Sequence, residues 1–294
     1  MQARWQVACT LGACALGLSA GCERLLSIQD PIAGDGPPRD TGGDDGGITD
    51  AAPAASSPIL LSEVVLTRDE GEMIEIYNAS DQEVDLSTYY LSDNGNYFRL
   101  PVKPTQTAVD ATDFIVKFPT GARIPARGVM TVALNTPANF SSVYAMSPNF
   151  SFTDGTMQII SMNGMPNLTN GGEPVILFQW DGQSDLVRDV DMVLIGTPTA
   201  ANGLPSKSSV QQDGPDPDTQ PSQYAVDTNA LMPQAATPGN GQSAKRILLE
   251  DTHETHGGSG NGQSGDDETS EDTRTTWEVS ATPTPGQVPQ ALKP

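Results

Sequence analysis

Five carboxylates crowd together late in the chain, at Asp266, Asp267, Glu268, Glu271 and Asp272, behind a glycine-rich lead from Gly257 to Gly265. Carboxylates this close repel one another unless water or a counter-ion separates them. Calcium takes about six to eight oxygen ligands, backbone carbonyls included, from flexible loops, and glycine lets a backbone turn tightly enough to supply them. The run lacks the ligand spacing and central Gly of an EF-hand loop. It reads first as a solvated acidic loop, with a calcium cage as the functional alternative. His253 and His256 stand three apart around Glu254, not the four apart of the zinc-protease helix motif. Together with the acidic run they define a second alternative, a metal-dependent hydrolase. Asp185, Asp189 and Asp191 form a third group. Asp189 and Asp191 are two apart and so fall on one face of a strand, a face read as open to solvent. The chain has no Gly-x-Ser-x-Gly elbow and no glycine-rich phosphate loop. Aromatics are 5% of residues, too few for a sugar-stacking cleft to be expected, and Trp180 and Trp277 are read as core.

The elements that must position these groups are short strands. Ile59 to Leu66 is an apolar, branched run of strand length, and Met73 to Asn78 follows a charged turn. Val84 to Leu86, Tyr89 to Leu91, Tyr97 to Leu100, Phe114 to Phe118, Gly128 to Leu134, Met157 to Ile160, Pro174 to Phe178 and Asp185 to Ile195 continue the series. Residues 197–244 are rich in Pro, Gln, Asn, Asp and Ser and read as an insertion or long surface loop. Strand-like pieces resume at Arg246 to Leu249 and Thr275 to Val279. No segment sustains a 3.6-residue apolar period, so the pattern predicts an all-β sandwich or barrel.

Composition narrows the function. The net charge of −22 opposes the phosphate neutralisation that drives nucleic-acid binding, so no nucleic-acid partner is expected. All three cysteines lie at the start, at positions 9, 14 and 22. Met1 to Arg4, an apolar run from Trp5 to Ala20 and the small residues before Cys22 form a signal peptide over residues 1–21. That run falls short of the roughly 20 apolar residues a spanning helix needs. Leu18-Ser19-Ala20-Gly21-Cys22 resembles the lipobox of bacterial lipoproteins. The resemblance implies cleavage before Cys22, a lipid on its thiol and a membrane anchor. Glu23, rather than Asp, then points to the outer membrane of a Gram-negative envelope. Residues 22–57, rich in Gly, Asp, Pro and Ala, cannot bury enough surface to offset ordering and read as a disordered acidic linker.

From Ile59 onward the chain resembles the lamin tail domain, an immunoglobulin-like β-sandwich. The residues that carry the likeness are Ile59-Leu60-Leu61-Ser62-Glu63-Val64, Glu72-Met73-Ile74-Glu75-Ile76-Tyr77-Asn78 and Leu86-Ser87-Thr88-Tyr89-Tyr90-Leu91-Ser92-Asp93. In the last of these, Thr88 and Tyr89 stand where the family has Gly and Trp. Ile124-Pro125-Ala126-Arg127-Gly128 and Gly171-Gly172-Glu173-Pro174-Val175 continue the match. The closing Thr-Pro-Gly is Thr284-Pro285-Gly286, or Thr237-Pro238-Gly239 if the domain closes early. The resemblance implies one sandwich over residues 58–288 with the 197–244 insertion and a tail at 289–294. It carries no shared catalytic residues. The expected protein is therefore a non-enzymatic, lipid-anchored envelope module, bound to the membrane through Cys22, that holds an envelope or extracellular protein or glycan. A calcium-stabilised adhesin module and the hydrolase are the alternatives.

Overall fold

A computed structural model describes residues 56–103, 112–162, 164–196, 207–224, 234–249, 254 and 267–294. All of them belong to one compact unit, residues 46–294. Cys22, the linker up to residue 55, both histidines and Asp266 lie outside the described residues. No helix among the described residues is long and apolar enough to cross a membrane.

In chain order the strands are β1 (Ile59–Val65), β2 (Met73–Asn78), β3 (Val84–Asp85), β4 (Tyr89–Ser92), β5 (Phe114–Lys117), β6 (Arg123–Ile124) and β7 (Val129–Ala133). After helix α1 (Pro137–Tyr144) come β8 (Phe150–Ser151), β9 (Gln158–Met162), β10 (Gly172–Gln179), β11 (Arg188–Gly196), β12 (Gln211–Gln212), β13 (Ser222–Gln223) and β14 (Ser243–Arg246). The turn α2 (Thr273–Thr276) leads into β15 (Trp277–Ser280). Two sheets carry the fold, one ordered β15-β14-β1-β2-β7-β8 and the other β11-β10-β4-β5-β9. Their inner faces share one core that includes Leu61, Val64 and Ile76 from the first sheet and Leu91, Val116, Val175 and Val193 from the second. The architecture is the expected all-β sandwich.

β1 is buried along its whole length, Ser62 and Glu63 included, because both its faces are covered. Leu61 and Val64 enter the shared core. Leu60 packs outside with Tyr77 and Leu292, and Val65 packs with Met73 and Phe140 of α1. The segment from Thr284 to Leu292 closes the outer face of this sheet. Glu63 accepts the Thr284 N–H at 3.0 Å, and Glu75 accepts the Gly286 N–H at 2.6 Å. The second sheet is covered on its outer side by 207–224, whose Tyr224 joins Phe98, Phe178, Val187, Met192 and Leu194 in a separate cluster. The expected loop therefore contains the short β12–β13 pair and packs on the sandwich, with Lys207, Gln212 and Tyr224 buried.

Four expectations need correction. Tyr97–Arg99 is a 3-10 turn, because Asn94 accepts the Asn96 N–H through its side chain (2.8 Å) and the Tyr97 N–H through its carbonyl (3.0 Å). α1 was not visible in the apolar period, since Phe140 is its one fully buried side chain. Its signal is Thr136-Pro137: the Thr136 hydroxyl accepts the Asn139 N–H at 3.1 Å, and Pro occupies the first helical position. β14 lies at 243–246 rather than 246–249, because the Ile247 and Leu248 N–H groups both turn onto the Thr276 carbonyl (2.7 and 3.4 Å) and end the ladder. Finally, Asp189 and Asp191 do not share a face. Leu177 pairs with Asp191 while its neighbour Phe178 pairs with Asp189, so Val190 is an extra residue. This β-bulge shifts the alternation by one residue, turning Asp191 and Val190 inward and Asp189 outward. Gly196, at the end of β11, has φ +69, and a Cβ there would stand 2.6 Å from the Gly171 carbonyl. Only glycine fits that approach.

Candidate functional site

The carboxylates that looked free to do chemistry are mostly engaged by the fold. Asp185, Asp189 and Asp191, read as solvated, are buried. The bulge delivers Asp191 to Arg246, which is 1% exposed. β14 pairs with β1 only at Glu63 and Val64, so Leu61 lies beyond the ladder on that side. Side chains complete its bonding: Asp191 Oδ2 accepts the Leu61 N–H at 2.6 Å, and Arg246 Nε donates to the Leu61 carbonyl at 2.9 Å. Arg246 also donates from Nη2 to Asp191 Oδ1 and from Nη1 to Glu271 Oε1 at 3.0 Å. Its guanidinium lies 5.0 Å from the centre of the Trp277 ring. Burial works against the Arg246 charge, but Asp191, Glu271 and Glu268 outweigh it and raise its pKa.

The acidic run is thereby divided. Glu271 belongs to Arg246, and Glu268 is buried within its field. Asp267 caps a 3-10 turn, its Oδ1 accepting the Thr269 N–H at 3.1 Å. Asp272 caps α2 and pairs with the exposed Arg274 at 2.6 Å. One oxygen each of Asp191, Glu268 and Glu271 falls within 4.8 Å of the others, with the Arg246 cation bonded to two of the three. The four described carboxylates of the run therefore do not surround one centre. Trp277 is 3% exposed in the core, and Trp180 is half-buried against the outer cluster.

Asp189, on the outer side of β11, meets Lys207 at 2.6 Å and accepts the Tyr97 hydroxyl. Lys207 is fully buried. Asp185 accepts the N–H groups of Gly214 and Ser222, the latter at 2.9 Å, and so ties 207–224 down.

A fourth group combines two residues of the family-like motifs, Asp93 and Glu173, with Asp113, and nothing in the sequence signals that they meet. Asp93 follows β4, Asp113 precedes β5 and Glu173 lies in β10, and β4 is hydrogen-bonded to both neighbours. One carboxylate oxygen from each lies within 4.8 Å of the others, and all three residues are buried. Asp93 Oδ1 accepts the Phe114 N–H at 2.6 Å, and Glu173 Oε2 accepts the Thr169 N–H at 2.9 Å. Burial raises Asp93 well above the ordinary carboxylate range, and Glu173 and Asp113 add to the rise. Glu72 adjoins the group electrostatically. Burial, then Asp69, and to a lesser degree Glu173, push it up to about 8 against a Leu168 backbone hydrogen bond. These four acids are spread through more than 100 residues, and only the strand order collects them.

Among the described residues, two of the open cavities lie elsewhere. The larger, about 500 Å³, is bounded by Lys245, Glu278, Thr284, Gln287, Gln290 and Lys293. The other, about 270 Å³, surrounds Trp180, Leu186 and Arg188.

These features define an immunoglobulin-like β-sandwich. Residues 52–193 match the family model of the Lamin Tail Domain. The match ends before β14 and β15, which complete the first sheet. Among solved structures, the chain is similar to a DUF4876 family protein from Bacteroides thetaiotaomicron, with 13% identity and a TM-score of 0.39. That similarity covers 80% of this chain and 72% of the other. No curated protein matches.

Proposed function

We propose that this is an exported, lipid-anchored envelope protein whose lamin tail domain is a non-enzymatic binding or scaffolding module. The observation that carries the reading is the engagement of its acidic groups. Glu271 and Asp191 are held by Arg246, and Asp189 by Lys207, all buried, so these carboxylates act as structural ties. A carboxylate bonded to a buried guanidinium is poorly placed to activate water, which counts against the hydrolase. The anchor rests on the lipobox-like Leu18 to Cys22, and the 22–57 linker would hold the module away from the bilayer. The acidic charge of −22 favours a protein or glycan partner over nucleic acid.

Fatty-acid labelling and fractionation in an outer-membrane host test the anchor. The full chain should carry label and sediment with outer membranes, and Cys22→Ala should do neither. An unlabelled, soluble wild-type chain would refute it. The non-enzymatic part fails if the purified protein turns over phosphate or carboxylate esters and that activity disappears in Glu268→Gln.

A further inference from the structure

We propose that Asp93, Asp113 and Glu173 form a divalent-cation site at one end of the second sheet, with calcium the ion that fits it. This site is separate from the 266–272 run and does not depend on the envelope reading. Three observations carry it. The first is placement: β4 lies between β5 and β10, so the residues after β4, before β5 and at the start of β10 bring their carboxylates together, one oxygen of each within 4.8 Å of the others.

The second is an acceptor without a donor. Asp93 is fully buried and spends Oδ1 on the Phe114 N–H, while its Oδ2 has no hydrogen-bond partner among the described residues. Oδ2 is the oxygen Asp93 has left to offer its two acidic neighbours. Glu72, coupled to Glu173, likewise keeps Oε1 buried and unpartnered. A buried acceptor left this way is costly unless a proton or cation completes it.

The third is the contrast with the other buried acids. Asp191 and Glu271 have Arg246, Asp189 has Lys207, and Glu63 has Lys245 at 3.5 Å. Among the described residues, the groups acting most strongly on Asp93 are Glu173, the Phe114 N–H and Asp113.

An all-oxygen donor set of high negative charge selects a hard cation. Oxygens bound to one calcium, at about 2.3–2.6 Å each, stand up to about 5 Å apart, so three carboxylate oxygens within 4.8 Å of one another can share it.

The competing occupant is a proton shared among the same carboxylates. Thermal unfolding of the full-length chain in detergent, followed by tryptophan fluorescence, separates the two. Wild type is compared in excess chelator and in calcium titrated to about 100 times the apparent Kd. Calcium should raise the midpoint by about 5–11 °C. Asp93→Asn should abolish the rise, while Asp272→Asn, in the exposed Arg274 pair, should keep it. If Asp93→Asn fails to fold, Asp113→Asn is read in its place. Calorimetric titration in two buffers of different ionisation enthalpy should show protons released as calcium enters. No calcium shift in wild type would leave the shared proton as the occupant and overturn the proposal. A shift that survives both Asp93→Asn and Asp113→Asn would overturn it as well.

Discussion

Replacing Arg246 with Met removes a buried cation and leaves its partners in place. Arg246 holds Asp191, Glu271 and the Leu61 carbonyl from one planar fork and lies over Trp277. Methionine matches much of the volume but supplies no donor. Two carboxylates and a carbonyl then remain buried without it, and breaking such a pair from one side costs about 3–5 kcal/mol. At roughly 2–4 °C per kcal/mol for a domain of this size, the thermal midpoint should fall by about 6–20 °C. Arg246→Lys should fall between the two, because an ammonium keeps the charge but cannot span the same acceptors in one plane. Urea unfolding at pH 8 is the assay. A Met variant within about 1 kcal/mol of wild type at pH 8 would refute the view that this fork joins β14, β1 and β11.

Two further perturbations follow from the same kind of accounting. Burial pushes Glu75 up to about 8 from its ordinary 4.5, with the Gly286 N–H opposing the rise and Glu63 adding to it. Its share of stability is complete below about pH 4.5 and lost as pH climbs through 8, by an amount on the order of a few kcal/mol. Glu75→Gln should flatten the decline between pH 5 and 8, leaving the part due to Glu72, and identical slopes in the two proteins would contradict this. Lys207→Met removes the buried cation paired with Asp189 and should cost about 3–5 kcal/mol. It should also open residues 207–224 to protease, and unchanged resistance there would refute the role of Lys207 as their anchor.

The strands were legible where both faces, or one face consistently, are covered. β2 falls at 73–78, as its pattern requires, and β1 and β10 lie close to their apolar runs. Local hydrogen bonding defeated the pattern at Tyr97, where the turn from Asn94 consumes the backbone groups a strand would need. Parity defeated it in β11: one extra residue at Val190 sends two aspartates in opposite directions, and nothing in the alternation marks a bulge. The family motifs contain residues whose partners lie far away. Glu63 and Glu75 hold Thr284 and Gly286, and Asn78 donates to the carbonyls of Gln82 (2.6 Å) and Pro125 (3.0 Å). Each motif was visible, but the pairing was not, because sequence distance says nothing about which strand ends adjoin. Asp93, Asp113 and Glu173 were missed for the same reason.

The position of β1 has a consequence for how the chain reaches this structure. β1 is made early but lies between β2 and β14, so pairing along its second edge waits for residues 243–246, and β14 in turn waits for 277–280. Contacts such as Arg246 to Leu61, 185 positions apart, close late. Chains dominated by such distant pairings fold slowly, in milliseconds to seconds. Until then one edge of β1 remains an open template for another chain. A molecule emerging stepwise from a ribosome or a membrane pore would spend that interval unsealed, and a holding chaperone would find its binding sites there.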